Sequence, residues 1–136
     1  AFNEITGLGI SFIQDNESLS GSSVLRGLHY QLPPFEQAKL IRVVKGKVFD
    51  IAVDIREGSE TYGQYYGIEL SEENKKQLFM PAGFAHGFLS LRNDTILSYK
   101  CSNYYHQASE AGIRYDDPIL NIDWKVDKKE FLLSEK

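Results

Sequence analysis

Between residues 47 and 55, Phe49, Ile51, Val53 and Ile55 alternate with Val48, Asp50, Ala52 and Asp54. A period of two predicts a strand, here one with a single oily face. Leu40-Ile41-Arg42-Val43-Val44 runs just before it. The intervening Lys45-Gly46 has the length and glycine content of a tight turn, so the two runs are expected to pair as an antiparallel hairpin. Further short strands are predicted over residues 65–70, 77–80, 84–91 and 95–102. Turn chemistry at Ser71-Glu72-Glu73-Asn74, Pro81-Ala82-Gly83 and Asn93-Asp94 divides them. Helical signal is confined to the tail, residues 125–136, and to a turn or so over residues 71–75. Many short strands with regular turns and no alternation with helices predict an all-β sandwich or barrel, for which the jelly roll is the common small form. With no internal repeat, linker or composition shift, residues 1–136 are expected to form one domain.

The 136 residues carry 15 Lys and Arg against 19 Asp and Glu, a net charge of −4, and are 42% apolar. A chain of this size can hold a core without staples, and the single cysteine, Cys101, cannot make an internal bridge. No charged-then-apolar leader precedes Ala1, so a reducing, cytoplasmic location is expected. No apolar run approaches the roughly 18 residues that span a bilayer, so no membrane partner is expected. The acidic balance and the lack of a Lys/Arg stripe speak against nucleic acid. A small anionic ligand held by a few arginines stays open.

Candidate chemistry starts from three histidines, His29, His86 and His106. In Pro81-Ala82-Gly83-Phe84-Ala85-His86 a turn aims a histidine at the start of a strand, as in the second half of a cupin metal site. Such a site also needs a His-x-His pair and a glutamate upstream, and the corresponding stretch, Arg26-Gly27-Leu28-His29-Tyr30, offers His29 alone. Two histidines fall short of three nitrogen ligands and a carboxylate, so no metal is expected. A metal-free barrel with a histidine, a lysine and a tyrosine available to its cavity suggests proton transfer. From spacing alone, a lone histidine such as His29 is more often a satisfied structural residue than a catalytic one.

Five motifs change that balance: Gln14-Asp15-Asn16; Val24-Leu25-Arg26-Gly27-Leu28-His29-Tyr30-Gln31; Val48-Phe49-Asp50-Ile51-Ala52-Val53-Asp54-Ile55-Arg56; Pro81-Ala82-Gly83-Phe84-Ala85-His86-Gly87-Phe88; and Asn121-Ile122-Asp123-Trp124. In this order and at these spacings the chain closely resembles the dTDP-4-dehydrorhamnose 3,5-epimerase family, from residue 14 to residue 124. The resemblance implies a metal-free cupin jelly roll without a cofactor, usually a homodimer. It also implies an enzyme that inverts carbons 3 and 5 of a dTDP-linked 4-keto-6-deoxyhexose. By the family pattern His29 is the base, Lys39 steadies the enolate oxygen and Tyr99 returns a proton. Arg26 would meet the diphosphate, Tyr105 would stack on the thymine, and Gln14, Asn16, His86 and Glu110 would also touch substrate.

The same resemblance implies features outside this sequence. The family carries, before the position of Ala1, a segment of a few dozen residues with an arginine and a glutamate that contact substrate. It also carries an aspartate that orients the histidine, at the position directly after Lys136. Residues 1–136 are therefore expected to lack both. A single-carbon epimerase, a ketoisomerase on a related dTDP-sugar, and an inactive dTDP-sugar-binding fragment are the alternatives. One conflict is internal to the chain: strict alternation puts Arg26 and His29 on opposite faces of a strand. A bulge at Gly27, or contacts to the ligands of different subunits, would resolve it. Tyr62, Tyr65 and Tyr66 read as structural or interfacial, and Asp116-Asp117 before Pro118 as a turn.

Overall fold

The computed structural model describes residues 6–124 and 132–133, and among these the alternating and β-branched segments form ten strands. They are β1 (Gln14–Ser20), β2 (Val24–Gln31), β3 (Lys39–Lys45), β4 (Lys47–Asp54), β5 (Tyr65–Ser71), β6 (Gln77–Met80), β7 (Phe84–Ser90), β8 (Thr95–Cys101), β9 (Glu110–Gly112) and β10 (Leu132–Leu133). One sheet has the order β1-β8-β3-β6. The other has the order β10-β2-β7-β4-β5, with β9 also pairing β2. The all-β class and the strands predicted over 65–70, 77–80, 84–91 and 95–102 are therefore present to within a residue or two.

The expected hairpin does not form. β3 pairs with β8 and β6, whereas β4 pairs with β5 and β7, so Lys45-Gly46 carries the chain from one sheet to the other. Gly46 turns this corner at φ +91°, where a side chain would run into Thr95. Its N–H donates to Glu72 Oε2 at 2.6 Å. A corner suits these two runs better than a hairpin because both have apolar residues to bury between the sheets. Ile41 and Val43 from β3 meet Val48 and Ala52 from β4 in one buried cluster, with Leu70, Met80, Phe88 and Leu97.

The single oily face of β4 also needs correction, because this central strand is covered on both sides. Val48 and Ala52 point between the sheets, and the buried Asp50 shares their alternation. Ile51 and Val53 point outward into a second cluster with Leu25, Leu28, Ala85 and Leu89, roofed by Ile122 and Trp124, and Phe49 packs against it. The Trp124 indole N–H donates to the Tyr115 carbonyl at 3.0 Å. Each fully buried Leu, Ile or Val is worth about 1.5–3 kcal/mol, so the roofing segment is a main source of stability. Residues 71–75 form a turn, pinned by Ser71 and Asn74 side-chain bonds, and not helix. Most of the expected tail helix lies outside the described residues, and the described pair Leu132–Leu133 is a strand beside β2. Among the described residues no helix is long and apolar enough to cross a membrane.

Two local devices shape the region around the cavity. Arg26 pairs with Phe88 and His29 with His86, three steps along β2 against two along β7, so β2 holds one extra residue. Gly27 accommodates it at φ +121°, and a Cβ there would lie 2.6 Å from Gly87 Cα. After β4, the buried Asp54 carboxylate accepts from the Arg56 backbone N–H at 2.9 Å and from Arg56 Nε and Nη2 at 3.0 Å each. Ser59 Oγ donates to it at 2.6 Å, and the Thr61 hydroxyl donates to it as well. The Arg56 bond leads these causes in holding the carboxyl well below the usual carboxylate range.

Two outcomes follow for the fold. Gly27→Ala meets both a positive φ and a backbone wall, so thermal unfolding by circular dichroism should show a loss of about 1–3 kcal/mol. Asp54 has a depressed folded pKa, so its contribution is present above the unfolded value of about 3.9 and is lost as pH falls below it. Asp54→Asn should therefore lower stability by ~2 kcal/mol at neutral pH and flatten the acid side of the stability–pH curve.

Candidate active site

The extra residue in β2 decides what faces inward. Leu25 and Leu28 join the outer cluster, while Arg26 and His29 both line a cavity of about 380 Å³ between the sheets. The conflict over their faces is thus resolved by a bulge at Gly27. His29 and His86 are register partners, so two imidazoles stand side by side on one wall. The facing wall comes from the other sheet. Tyr99 on β8 has Asn16 of β1 and Ile41 of β3 as its neighbours, and Lys39 is paired with Cys101. Gln14, Asn16, Lys39 and Tyr99 all line the cavity from this side, and Tyr105 and Glu110 close its rim. The cavity thus brings together all nine residues singled out from the resemblance.

The loop carrying Tyr105 is held from below. Gln31 Nε2 donates to the carbonyls of Phe35 at 2.6 Å and Tyr104 at 3.2 Å, and its Oε1 accepts from the His106 N–H at 2.8 Å. The third histidine is structural: the His106 ring stacks on Phe35 at 3.8 Å, and its Nδ1 pairs with Ser109 Oγ at 2.8 Å. Tyr105 N–H donates to Gln14 Oε1 at 2.7 Å, Gln14 Nε2 to Asn16 Oδ1 at 3.0 Å, and Asn16 Nδ2 to Cys101 Sγ at 3.6 Å. This chain of bonds fixes which way both amides point.

Electrostatics divide the residues by wall. His86 Nε2 lies 2.5 Å from Asp50 Oδ1, both groups buried, and Glu110 Oε1 lies 3.6 Å from His29 Nδ1. Each imidazole thus has a carboxylate beside it. On the facing wall, burial pulls the Lys39 ammonium below its ordinary value, opposed by the Cys101 sulfur and the carboxylates of Asp50 and Glu110. Lys39 Nζ stands 5.5 Å from the centre of the Tyr99 ring. Burial also pushes the Tyr99 phenol up, so it stays protonated through neutral pH. Arg26 is steadied by Ser20 Oγ at 3.0 Å and the Leu19 carbonyl at 3.4 Å.

Asp50 is the residue that sequence reasoning passed over. Its signal was present, a carboxylate at the central position of Val48-Asp50-Ala52, the inward face of a strand buried on both sides. Tyr65 and Asp117 are structural, as expected: the Tyr65 hydroxyl accepts from the Asp123 N–H at 3.1 Å, and Asp117 Oδ1 accepts from Ile119 and Leu120.

Comparison with known proteins places this geometry in a family. The dTDP-4-dehydrorhamnose 3,5-epimerase family model matches residues 1–136. The dTDP-4-dehydrorhamnose 3,5-epimerase of Methanothermobacter thermautotrophicus is 48% identical over 140 residues, covering 99% of this chain and 75% of that protein. The crystal structure of the enzyme of that name from Elizabethkingia anophelis superposes with a TM-score of 0.94 at 51% identity, covering 98% of this chain and 73% of the other. The dTDP-6-deoxy-D-glucose-3,5-epimerase of Legionella pneumophila, solved with dTDP-4-keto-L-rhamnose, superposes with a TM-score of 0.93 at 50% identity, covering 99% and 71%. On the match over its whole length and on these relatives, the chain belongs to the dTDP-4-dehydrorhamnose 3,5-epimerase family.

Proposed function

We propose that this chain converts dTDP-4-dehydro-6-deoxy-D-glucose to dTDP-4-dehydro-L-rhamnose by inverting carbons 3 and 5 beside the 4-keto group. The observation that carries the reading is that His29 stands on one sheet while Lys39 and Tyr99 stand on the other, with one cavity between them. Inversion needs a proton removed from one face of a carbon and returned to the opposite face. A base and an acid on facing walls meet that need without moving the sugar between them.

In each inversion His29 takes the proton from the carbon next to the ketone. The electron pair left behind moves onto the carbonyl oxygen, where the Lys39 ammonium stabilises the enolate. A lysine made more acidic by burial is suited to that task, because it strengthens its hydrogen bond as charge develops on the oxygen. Collapse of the enolate draws the Tyr99 phenolic proton to the other face; the His29 imidazolium then releases its proton to water and the phenolate regains one from water, which readies both groups for the second inversion. Arg26 offers its guanidinium to the diphosphate, and Tyr105 its ring to the thymine. Gln14, Asn16, His86 and Glu110 complete the contacts. His86 is presented by Asp50, which holds one ring nitrogen and leaves the other for substrate. The Legionella relative with dTDP-4-keto-L-rhamnose supports the choice of sugar nucleotide. The reading includes a second copy of the chain as partner, and the half-exposed Ile13 and Leu19, in and beside edge strand β1, provide apolar surface for it.

Incubation with the dTDP-4-keto sugar in heavy water should place deuterium at carbons 3 and 5, read by NMR. Deuterium at one carbon alone would make this a single-carbon epimerase, and at neither a binding protein. His29→Ala should slow exchange by about 10²- to 10⁴-fold. Lys39→Met should slow it by about 10²- to 10³-fold. Because burial lowers the Lys39 pKa, the alkaline limb of the native kcat–pH profile should fall below the ordinary lysine value of about 10.4 and be absent from the Lys39→Met profile.

A further inference from the structure

We infer that Gln31 is a positioning residue for nucleotide binding, because its buried amide ties the segment that presents Tyr105 to the strand that carries His29. The inference rests on the reading that a dTDP-sugar fills the cavity. Gln31 ends β2, two residues beyond His29, lines the same cavity and is 7% exposed. An amide has two hydrogens to donate. Gln31 gives both to backbone, at the Phe35 and Tyr104 carbonyls, while its Oε1 accepts the His106 N–H. No hydrogen is left over for a substrate oxygen, so the amide acts through the chain around it.

The segments that it grips are also laced to each other. Gln37 Nε2 donates to the Asn103 carbonyl at 2.7 Å, Asn103 Nδ2 to the Pro34 carbonyl at 3.3 Å, and the Ala38 N–H to Ser102 Oγ at 2.8 Å. The His106 ring lies on the Phe35 ring. Residues 34–38 and 102–106 thus form one unit, and Gln31 joins that unit to β2. Tyr105 makes bonds of its own, from its N–H to Gln14 of β1 and from its hydroxyl to Glu110 Oε2 at 2.5 Å. What Gln31 adds is a grip on the peptides at either side, the Tyr104 carbonyl and the His106 N–H. β1 and β2 belong to different sheets, so the ring is referenced to both walls of the cavity. A ring ordered before the base arrives binds it more tightly than one that must be ordered on binding. Without the amide, three backbone groups turn to water and the unit is free to shift against the strand of His29.

A double-mutant cycle read by calorimetric titration with dTDP tests this. Tyr105→Leu removes the stacking ring and should weaken binding about 10- to 100-fold. Gln31→Leu should weaken it about 10-fold in the native background but less than about twofold beside Tyr105→Leu, because the amide acts through the ring. KM for the dTDP-4-keto sugar should rise with Kd, by a larger factor than kcat falls. Hydrogen exchange at the His106 N–H should quicken in Gln31→Leu. An equal loss of affinity in both backgrounds would make Gln31 a support of the fold only and overturn the inference. Unchanged affinity in either single variant, or no binding of dTDP by the native chain, overturns it as well. Should Gln31→Leu fail to fold, Gln31→Glu keeps the shape and the acceptor for His106 but gives up both donations. A several-fold loss that disappears beside Tyr105→Leu then supports the inference, and one that persists overturns it. A native chain that binds dTDP yet exchanges no deuterium refutes the epimerase reading alone, and the cycle still decides the role of Gln31.

Discussion

Three residues of β2 run against two of β7 between the Arg26–Phe88 and His29–His86 pairs, and the chemistry of the cavity hangs on that mismatch. Without it, alternation would send either Arg26 or His29 out into the apolar cluster under Trp124. With it, Leu25 and Leu28 keep their places in that cluster and both polar side chains turn inward. The accommodation is steric and local. A Cβ on Gly27 would lie 2.6 Å from Gly87 Cα, and a Cβ on Gly87 would lie 2.8 Å from Leu28 Cδ2, so neither has room for a side chain. The same glycines that permit the bulge therefore also seat Leu28 in the outer core, so fold stability and the aim of His29 share one cause.

Most of the interior was legible in the sequence, because strands with a buried face alternate. The run 95–101 is an example: a strand was predicted there, and its alternate residues Thr95, Leu97, Tyr99 and Cys101 face inward, with Tyr99 at the cavity. β1 was not legible. Its inward residues, Gln14, Asn16 and Ser18, line a polar cavity, and its outward residues, Asp15 and Glu17, are charged, so neither face reads as oily. The Lys45-Gly46 connection was misread for a different reason. Two residues with a glycine serve a hairpin and a corner equally well, and the choice is made by long-range pairing with β8 and β7. β9, three residues long, is too short for periodicity to register, although it brings Glu110 to His29.

Charge is distributed in the site by wall. The sheet that holds His29 places a carboxylate beside each imidazole, Asp50 by His86 and Glu110 by His29. The sheet that holds Lys39 and Tyr99 offers mostly neutral donors, the amides of Gln14 and Asn16 and a protonated phenol. Negative charge developing on a sugar oxygen would thus meet a cation and neutral donors on one side, while positive charge developing on an imidazole meets anions on the other. Fixed dipoles and charges arranged in this way need little reorganisation as the proton moves.

The gap between the walls is set by packing below the cavity. Ile41, Val48, Met80, Leu97 and Phe88 come from both sheets and leave almost no surface exposed, so they act as a spacer of fixed thickness. Phe88 belongs to this cluster, lines the cavity floor, and is the register partner of Arg26. Leu97 stands two residues from Tyr99 on the same inward face of β8. Enlarging or shrinking any of these side chains would change the separation of β2 from β8, and hence the distance between His29 and Tyr99 across the cavity. Catalysis by facing walls is for this reason sensitive to core residues that touch no substrate, because small displacements of a base relative to its carbon are costly.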